Sequence, residues 1–383
     1  MHIAQIAPPW FSVPPPAYGG IERVVHDLTE GFVANGHRVT LFAPGDSKTR
    51  AELVPTVPRG IGLDGTPGER ADVFARTSRD AYAEAERLGA DIIHDHTDFV
   101  PEKGSGRPVV RTLHGPAVED AVLRYVEVSR RGDWLVAISQ RQRIRFEEAA
   151  ERLLGNEGRL NFGGMIHNPT HLLDTPFYPA GTKQGYAAFL GRCHWEKDPA
   201  AAIRIAIAAG VHLKMALRVT KEEHPFFEAC VAPLLPAAGE LVEFVGETSG
   251  PAKDELMGRA SVVIFPSPWE EPFGLVLTEA AARGTPVVAY RRGSAPEIVV
   301  DGVTGILCDD EAGMVAAIPR AMGLDPAACR AHAEATFARP VIAARYADLC
   351  AEILADREAR ESVPGQSFVQ TGGEDGTGAE NWA

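Results

Sequence analysis

The stretch FPSPWEEPFGLVLTE, residues 265–279, carries the strongest fold signal in this sequence. It follows an apolar run at residues 262–266, crosses a turn rich in proline, and enters a helical pattern near Phe273 and Gly274. A strand followed at once by a helix is the repeating unit of parallel α/β proteins. The N–H groups that open such a helix lack intrahelical partners, so they favour a phosphate or a polar sugar. The stretch therefore predicts both a parallel α/β fold and a ligand site at the end of one strand.

The same alternation of apolar runs and helical patterns extends outward over most of the chain. In the first half, strands are predicted at residues 2–7, 38–43, 91–96, 109–114, 134–139 and 163–168, and helices at 21–35, 73–88 and 140–154. In the second half, strands are predicted at residues 187–191, 213–219, 241–246, 262–266, 286–290 and 305–308. Alternation that occurs twice predicts two doubly wound, parallel-sheet (Rossmann-like) domains.

Composition shifts along the chain mark the predicted domain boundaries. The length of 383 residues exceeds what a single core usually supports, which agrees with two domains. We expect a first domain, a linker rich in proline, threonine and glycine, a second domain, a long helix and an acidic, glycine-rich tail that is disordered. The predicted ranges are 1–168, 169–186, 187–339, 340–356 and 357–383, in that order.

The overall composition excludes several classes of protein. Hydrophobic residues make up 45% and charged residues 23%, as in globular proteins. The formal net charge of −14, without a dense block of lysine or arginine, argues against nucleic acid as a partner. Five scattered cysteines without a CxxC pair favour free thiols in a reducing compartment. We see neither a signal peptide nor a membrane-spanning run, so we expect a cytoplasmic protein.

One basic stretch leaves two interpretations open. It comprises Arg130, Arg131, Arg141, Arg143 and Arg145, and glutamates follow it closely. A mixed-charge, solvated helix is the first interpretation. The second is a patch that docks peripherally on the inner face of a membrane.

Two loops after predicted strands have residues suited to a phosphate. In GRCHWEK, residues 191–197, Arg192 and Lys197 lie five positions apart and can clamp a diphosphate. In the loop after the first strand, Gly19 and Gly20 precede a helix, so a phosphate or a ring can come close to the backbone. Ordinary solvated cations and a plain helix cap are the alternative interpretations.

Two carboxylates in the opening stretch are candidates for binding ligand hydroxyls. Glu271 lies on the turn and Glu279 lies about one and a half turns into the helix. An ionised carboxylate offers only acceptors, which suits vicinal diols. Gly274, between them, lets the backbone approach a ligand. The alternative is an ordinary strand–turn–helix unit with acidic residues on its surface.

Three histidines form another candidate group. His94 and His96 are two positions apart on one predicted strand, so both face the same side, and His114 ends the next strand. A metal site with Asp95 or Asp98 is conceivable, but an isolated His-x-His is weak support for one. Half-buried, hydrogen-bonded histidines are the preferred interpretation, and His114 is placed to contact a substrate hydroxyl.

A glycine pattern elsewhere is interpreted as a loop. Residues 60–65 match G-x-G-x-x-G, the dinucleotide fingerprint, which requires a strand before it and a helix after it. Because Thr66, Pro67 and Gly68 follow, we expect no helix to open at this point. We therefore predict no dinucleotide site there.

At this point the ordered motifs resemble glycosyltransferase family 4, a large retaining family with the two-domain GT-B fold. The most specific element is the E-x7-E pair, Glu271 and Glu279. The segments GTPVV at 284–288, PEIV at 296–299 and DGVTG at 301–305 follow in the family's order. YGGIE at 18–22 matches the family's amino-terminal glycine loop. The resemblance covers residues 1 to about 356.

The resemblance implies a role for each matching position. Arg192 and Lys197 would hold the donor diphosphate, and Glu279 would bind the ribose hydroxyls. Glu271 and the backbone of Phe273, Gly274 and Leu275 would hold the donor sugar and its phosphate. The remaining positions are His114, which would contact the donor sugar, and Gly19 and Gly20, which would let the first domain close over the phosphate. The first domain would bind the acceptor, and the last helix would cross back to it.

The predicted function is therefore a retaining glycosyltransferase of the hexosyltransferase type. It would move a sugar from a nucleotide diphosphate, for example a UDP- or GDP-sugar, to the hydroxyl of a glycan, lipid or small molecule. No cofactor and no metal ion are expected, since two cations can offset the charge on the leaving diphosphate. The alternatives are a GT-B nucleotide-sugar epimerase or phosphorylase, and a two-domain sugar-binding protein without turnover.

Overall fold

The computed structural model describes residues 1–16, 19–62, 66–170 and 175–361. In the first half, the strands are β1 (His2–Ile6), β2 (Arg38–Ala43), β3 (Glu52–Pro55), β4 (Ile92–Asp95), β5 (Val109–Leu113), β6 (Trp134–Ala137) and β7 (Phe162–Met165). The helices between them are α1 (Gly20–Ala34), α2 (Pro67–Arg87), α3 (Glu119–Arg130) and α4 (Gln140–Leu154).

The second half repeats the alternation. Its strands are β8 (Ala187–Arg192), β9 (Leu213–Arg218), β10 (Val242–Phe244), β11 (Val262–Phe265), β12 (Val287–Tyr290) and β13 (Gly305–Cys308). Its helices are α5 (Pro199–Ala209), α6 (His224–Phe226), α7 (Leu235–Ala238), α8 (Gly250–Arg259), α9 (Leu275–Ala282), α10 (Ala295–Ile298), α11 (Glu311–Met322), α12 (Pro326–Phe337) and α13 (Arg339–Glu361).

The strands form two parallel sheets, as predicted. The first has seven strands in the order β3-β2-β1-β4-β5-β6-β7, and the second has six in the order β10-β9-β8-β11-β12-β13. Every strand pair within them is parallel. The apolar runs predict the central strands because both faces of a parallel sheet are buried. Strand β3 was not predicted: it is a short edge strand, half exposed, that ends in proline.

The strand order places one crevice at the edge of each sheet. In the first sheet the order reverses between β1 and β4, and in the second it reverses between β8 and β11. Ligands of open α/β sheets bind outside the carboxyl ends of the strands at such a reversal. The segments that follow these four strands therefore define where the site lies.

Helix α13 returns to the first sheet, as the resemblance implied. Its residues Ile342 and Tyr346 are buried in the core that covers the first sheet. It crosses α1 closely, because a Cβ on Gly31 would lie 2.6 Å from the Cβ of Ala343. Arg339 also binds the buried carboxylate of Asp27 on α1 at 2.8 Å. These contacts attach α13 to α1 and to the core of the first sheet.

The predicted end of this helix was wrong. Residues 357–361, which we assigned to a disordered tail, continue α13 to Glu361. Arg360 pairs with Asp356 at 2.9 Å one turn earlier, and Arg357 donates to the carbonyl of Gly106 at 3.0 Å. Charge pairs of this kind extend a helix without an apolar stripe, so periodicity alone missed them. The rest of the predicted tail, 362–383, lies outside the described residues.

The start of α2 also corrects an expectation. We expected no helix to open after the glycine pattern at residues 60–65, yet α2 begins at Pro67. Thr66 caps it, and Glu69 completes a capping box by bonding back to the Thr66 backbone at 2.9 Å. Proline is favoured in the first helical turn, because its missing N–H has no intrahelical partner there. Residues 63–65 lie outside the described residues.

The arginine stretch lies on α3 and α4 and is paired along its length. Arg131 binds Glu127 at 2.8 Å, and Arg143 and Arg145 bind the next glutamates of α4, each at 2.9 Å. This pairing favours the solvated-helix interpretation over membrane docking. Within the described ranges, no helix combines the length and apolar character needed to cross a membrane. All five cysteines are free thiols.

Candidate active site

A cleft of about 590 Å³ lies where the ends of the two sheets face each other. Its walls include residues from both halves of the chain, so neither sheet forms it alone. The predicted site residues that line it are Gly19, Gly20, His114, Arg192, Lys197, Glu271, Phe273, Gly274, Leu275 and Glu279. The structure thus brings all ten predicted positions to one cavity, although the role of each stays a prediction.

Each of the two cations is paired with a carboxylate of its own. Arg192 ends β8 and binds Glu196 at 2.7 Å. Lys197 pairs with Glu271, and the indole N–H of Trp269 donates to the same Glu271 oxygen at 3.0 Å. Lys197 and Glu271 are mostly buried, at 20% and 12% side-chain exposure. Charged partners at this depth are little screened, so they would interact strongly with an incoming anion.

The turn before α9 places backbone groups at the cleft. Gly274 adopts φ 76°, a left-handed conformation that glycine adopts without strain, and helix α9 begins at Leu275. Ser294, which precedes α10, stabilises the turn through two hydrogen bonds. Its hydroxyl donates to the backbone carbonyl of Phe273 at 2.6 Å, and its backbone N–H donates to the backbone carbonyl of Glu271 at 3.0 Å. Leu275 and Val276, the first residues of α9, therefore line the cavity from a fixed position.

Glu279 has a partner that the sequence did not reveal. Lys253 on α8 approaches both of its carboxylate oxygens, at 2.7 and 2.6 Å. The Glu279 side chain is only 5% exposed, and both residues line the cleft. A buried carboxylate needs such compensation. The ammonium group of Lys253 supplies that compensation to Glu279.

A second helix, α1, begins at the cleft on the side of the first sheet. Gly19 has φ 148°, and a Cβ there would lie 2.7 Å from Pro15, so the turn requires glycine. Gly20 opens α1, and a Cβ on it would lie 3.5 Å from Leu275 of the other half. Burial raises the pKa of Glu22, in the first turn of α1, to about 7. Tyr18, the first residue of the predicted glycine loop, lies outside the described residues.

His114 lies at the cleft on a chain of hydrogen bonds. Its Nε2 is 3.0 Å from Nδ1 of His96, whose Nε2 is 2.7 Å from Oε1 of Gln5. Burial lowers the pKa of His114 to about 4 and holds the pKa of His96 well below its ordinary value. Both rings are therefore neutral at pH 7. Gln5 and His96 were not among the predicted site residues.

The histidines do not assemble a metal site. His94 and His96 do share one face, with ring centres 4.1 Å apart, as the spacing predicted. His94 binds Thr112 at 2.8 Å, while Asp95 points to the other face and binds Arg111 at 2.6 Å. Among the residues that the structure describes, no group of three or more His, Cys, Asp or Glu side chains is arranged to hold a metal ion.

Direct contacts cross from one half of the chain to the other beside the cleft. The carboxylate of Glu297 on α10 accepts hydrogen bonds from the backbone N–H groups of Gln140 and Arg141, at 2.6 and 2.7 Å, where α4 begins. Arg141 in turn binds Glu270 at 2.7 Å, next to Glu271. An anion at a helix N-terminus is favoured by the helix dipole. These contacts connect the two halves at the turn that carries the predicted donor site.

Two parallel, doubly wound sheets that face each other across such a cleft form the GT-B fold. The family model "Glycosyl transferases group 1" matches residues 237–336, and "Glycosyltransferase Family 4" matches residues 18–151. A D-inositol 3-phosphate glycosyltransferase of Arthrobacter sp. is 40% identical, over 76% of this chain and 78% of its own. A glycogen synthase of Mycobacterium tuberculosis is 28% identical, over 85% and 87%.

Similarity of fold agrees with these relatives. The structure of Anabaena Alr3699/HepE in complex with UDP and glucose superimposes with a TM-score of 0.64 at 19% identity, covering 92% of this chain and all of that one. The chain belongs to glycosyltransferase family 4. This result confirms the resemblance and favours a transferase over the epimerase, phosphorylase and sugar-binding alternatives.

Proposed function

We propose that this glycosyltransferase uses a nucleotide diphosphate sugar as its donor. The observation that carries the proposal is the convergence of Arg192, Lys197 and two helix N-termini, of α1 and α9, on one cleft. Cations and unpaired backbone N–H groups together select a dense anion such as a diphosphate. The complex of HepE with UDP and glucose supports a donor of this class.

The proposed donor lies in the cleft, in contact with these cations and helix N-termini. Its diphosphate is held by Arg192, Lys197 and the start of α9, and its ribose hydroxyls bind Glu279. Glu271 and His114 bind the sugar, and the hexosyl group is transferred to an acceptor hydroxyl held by the first sheet. Arg192 and Lys197 offset the charge that develops on the leaving diphosphate, so no metal ion is needed for that step.

We further propose that the reaction retains the configuration at the anomeric carbon. Double displacement needs a free carboxylate as nucleophile. Of the four glutamates that line the described part of the cleft, Glu271, Glu279 and Glu196 are each paired with a cation, which suits them to binding rather than attack. The fourth, Glu247, is exposed to solvent after β10 in the second half. Attack from the same face as the departing diphosphate fits this arrangement better.

The acceptor is proposed only as a class. The relatives named above are an inositol phosphate glycosyltransferase and a glycogen synthase, so polyhydroxylated acceptors are the first to be tested. Trp10, in the proline-rich loop after β1, stacks on Phe74 at 5.7 Å between ring centres. That contact favours a packed loop over an open aromatic surface.

A binding screen followed by product analysis tests the proposal. UDP-, GDP-, ADP- and TDP-sugars are titrated by calorimetry with and without EDTA, and the best donor is then incubated with inositol phosphates and oligosaccharides. We expect selective binding of one donor, unchanged by EDTA, and an NMR coupling constant showing a retained anomer. Loss of binding in EDTA would refute metal independence, and an inverted product would refute retention.

A further inference from the structure

Three neighbouring strands of the first sheet contribute one hydrogen-bonded chain that ends in the cleft. Gln5 lies in β1, His96 follows β4, and His114 follows β5. Gln5 is fully buried and His96 is 3% exposed, whereas His114 lines the cavity. The two contacts measure 2.7 and 3.0 Å, within hydrogen-bond range.

The glutamine determines where the protons of this chain lie. A neutral imidazole has one donor nitrogen and one acceptor nitrogen. Oε1 of Gln5 can only accept, so Nε2 of His96 donates to it and Nδ1 of His96 is left as an acceptor. His114 must then donate from Nε2 to that nitrogen. The proton of His114 is thereby placed on Nε2, and its Nδ1 keeps a lone pair.

The free nitrogen of His114 is available to a ligand. No described residue forms a hydrogen bond with Nδ1, and His114 lines the cleft together with Gly20 and Glu271. A nitrogen that can only accept suits a hydroxyl group, which can donate. A ring with the opposite tautomer would present an N–H instead, to which a carbonyl, a phosphate or a hydroxyl oxygen can be the acceptor.

We propose that Gln5 and His96 are positioning residues that hold His114 as the Nε2–H tautomer, so that Nδ1 accepts a hydrogen bond from a hydroxyl of the donor sugar. The sugar contact rests on the proposed function, whereas the tautomer is a property of the ligand-free protein. Turning the Gln5 amide by half a turn would reverse every donor and acceptor in the chain. The proposal therefore makes a prediction that can fail without any substrate.

Nitrogen NMR measures the tautomer directly. Long-range ¹H–¹⁵N spectra of the ¹⁵N-histidine-labelled protein distinguish Nε2–H from Nδ1–H rings, and His114→Asn identifies the signal. We expect the Nε2–H pattern for His114 in the wild-type protein. An Nδ1–H pattern, or a doubly protonated ring at pH 7, overturns the proposal, and this measurement needs no variant of Gln5.

Two variants separate positioning from general packing. Gln5→Leu removes the acceptor at similar volume, while Thr112→Val removes a neighbouring buried hydroxyl that bonds His94 and Tyr346, each at 2.8 Å. We expect Gln5→Leu to give a mixture of His114 tautomers and to lower kcat about tenfold, the effect of one hydrogen bond, with a smaller change in donor KM. Thr112→Val should leave the tautomer unchanged.

The outcomes distinguish the two levels of the argument. A folded Gln5→Leu protein whose His114 tautomer matches the wild type overturns the positioning role. If the tautomers are as expected but the protein binds none of the nucleotide sugars, the sugar contact and the proposed function are overturned, while the positioning role stands. The expected tautomers with a kcat that falls in Gln5→Leu but not in Thr112→Val support the whole proposal.

Discussion

Removing the charge of Lys197 tests the proposed leaving-group site most directly. Lys197→Met keeps most of the side-chain volume and the contact with the ring of Phe265, over which the ammonium lies at 5.8 Å. It deletes the cation that pairs with Glu271. Glu271 retains the 3.0 Å hydrogen bond from Trp269, so its carboxylate keeps one of its two side-chain partners.

The expected effect on the rate follows from the depth of the site. Removing one preorganised charge-stabilising group from a water-excluded site costs roughly 10²–10³ in kcat. Lys197 is 20% exposed, so some solvent can replace it, and we expect the lower end of that range, about 100-fold. Because the charge acts mainly on the departing diphosphate, kcat should fall more than the donor affinity.

A matched lysine provides the control for this experiment. Lys214 pairs with Glu243 at 3.3 Å and lies 4.9 Å over the ring of Tyr186, but it lies outside the cleft. Lys214→Met should keep kcat within about twofold of the wild type. Steady-state kinetics with the donor found by calorimetry compares both variants, and thermal melting verifies that both are folded. A folded Lys197→Met enzyme with wild-type kcat would refute the assignment.

Three further predictions concern glutamates. Glu22→Gln should stabilise the protein by up to about 3 kcal/mol at pH 8, because the pKa of Glu22 is raised from 4.5 to about 7 in the folded protein and folding becomes less favourable as the pH rises through that window. Urea unfolding of the variant and the wild type at pH 8 and pH 5 tests this, and an equal gain in stability at both pH values would contradict it. Glu279→Gln should raise donor KM about tenfold with a smaller change in kcat, since it weakens a proposed ribose contact; an unchanged KM would exclude that contact. Glu297→Gln weakens the charged bonds to Gln140 and Arg141, so small-angle scattering should show a larger radius of gyration; an unchanged radius would mean that other contacts hold the cleft.

Local pattern was sufficient for most of the fold. The apolar run before the turn at residues 265–279 and the helical pattern after it became β11 and α9, with Gly274 in the left-handed conformation between them. Such features depend on neighbouring residues, whose preferences the chain order displays. Edge and end elements were harder to predict. Strand β3 and the last residues of α13 are stabilised by pairing rather than by an apolar pattern.

Local pattern also indicated which loops form the cleft. Residues after the ends of parallel strands meet at one edge of a sheet, so Arg192, His114 and Glu271 were expected there from position alone. Several residues had no such signal, because their partners are far away in sequence. Gln5 lies 91 residues before His96 in the chain, and Lys253 lies on a helix other than that of Glu279.

The sequence by itself determined the alternation of strands and helices, the glycines at the turns and the residues that follow each strand. These depend on interactions between residues close in the chain. The tertiary structure decided which side chains become partners. It determined which carboxylate each cation binds, that His94 binds Thr112 on the neighbouring strand, and that Glu297 binds the start of α4. Such pairings depend on distances across two folded sheets, and burial makes them strong by excluding water.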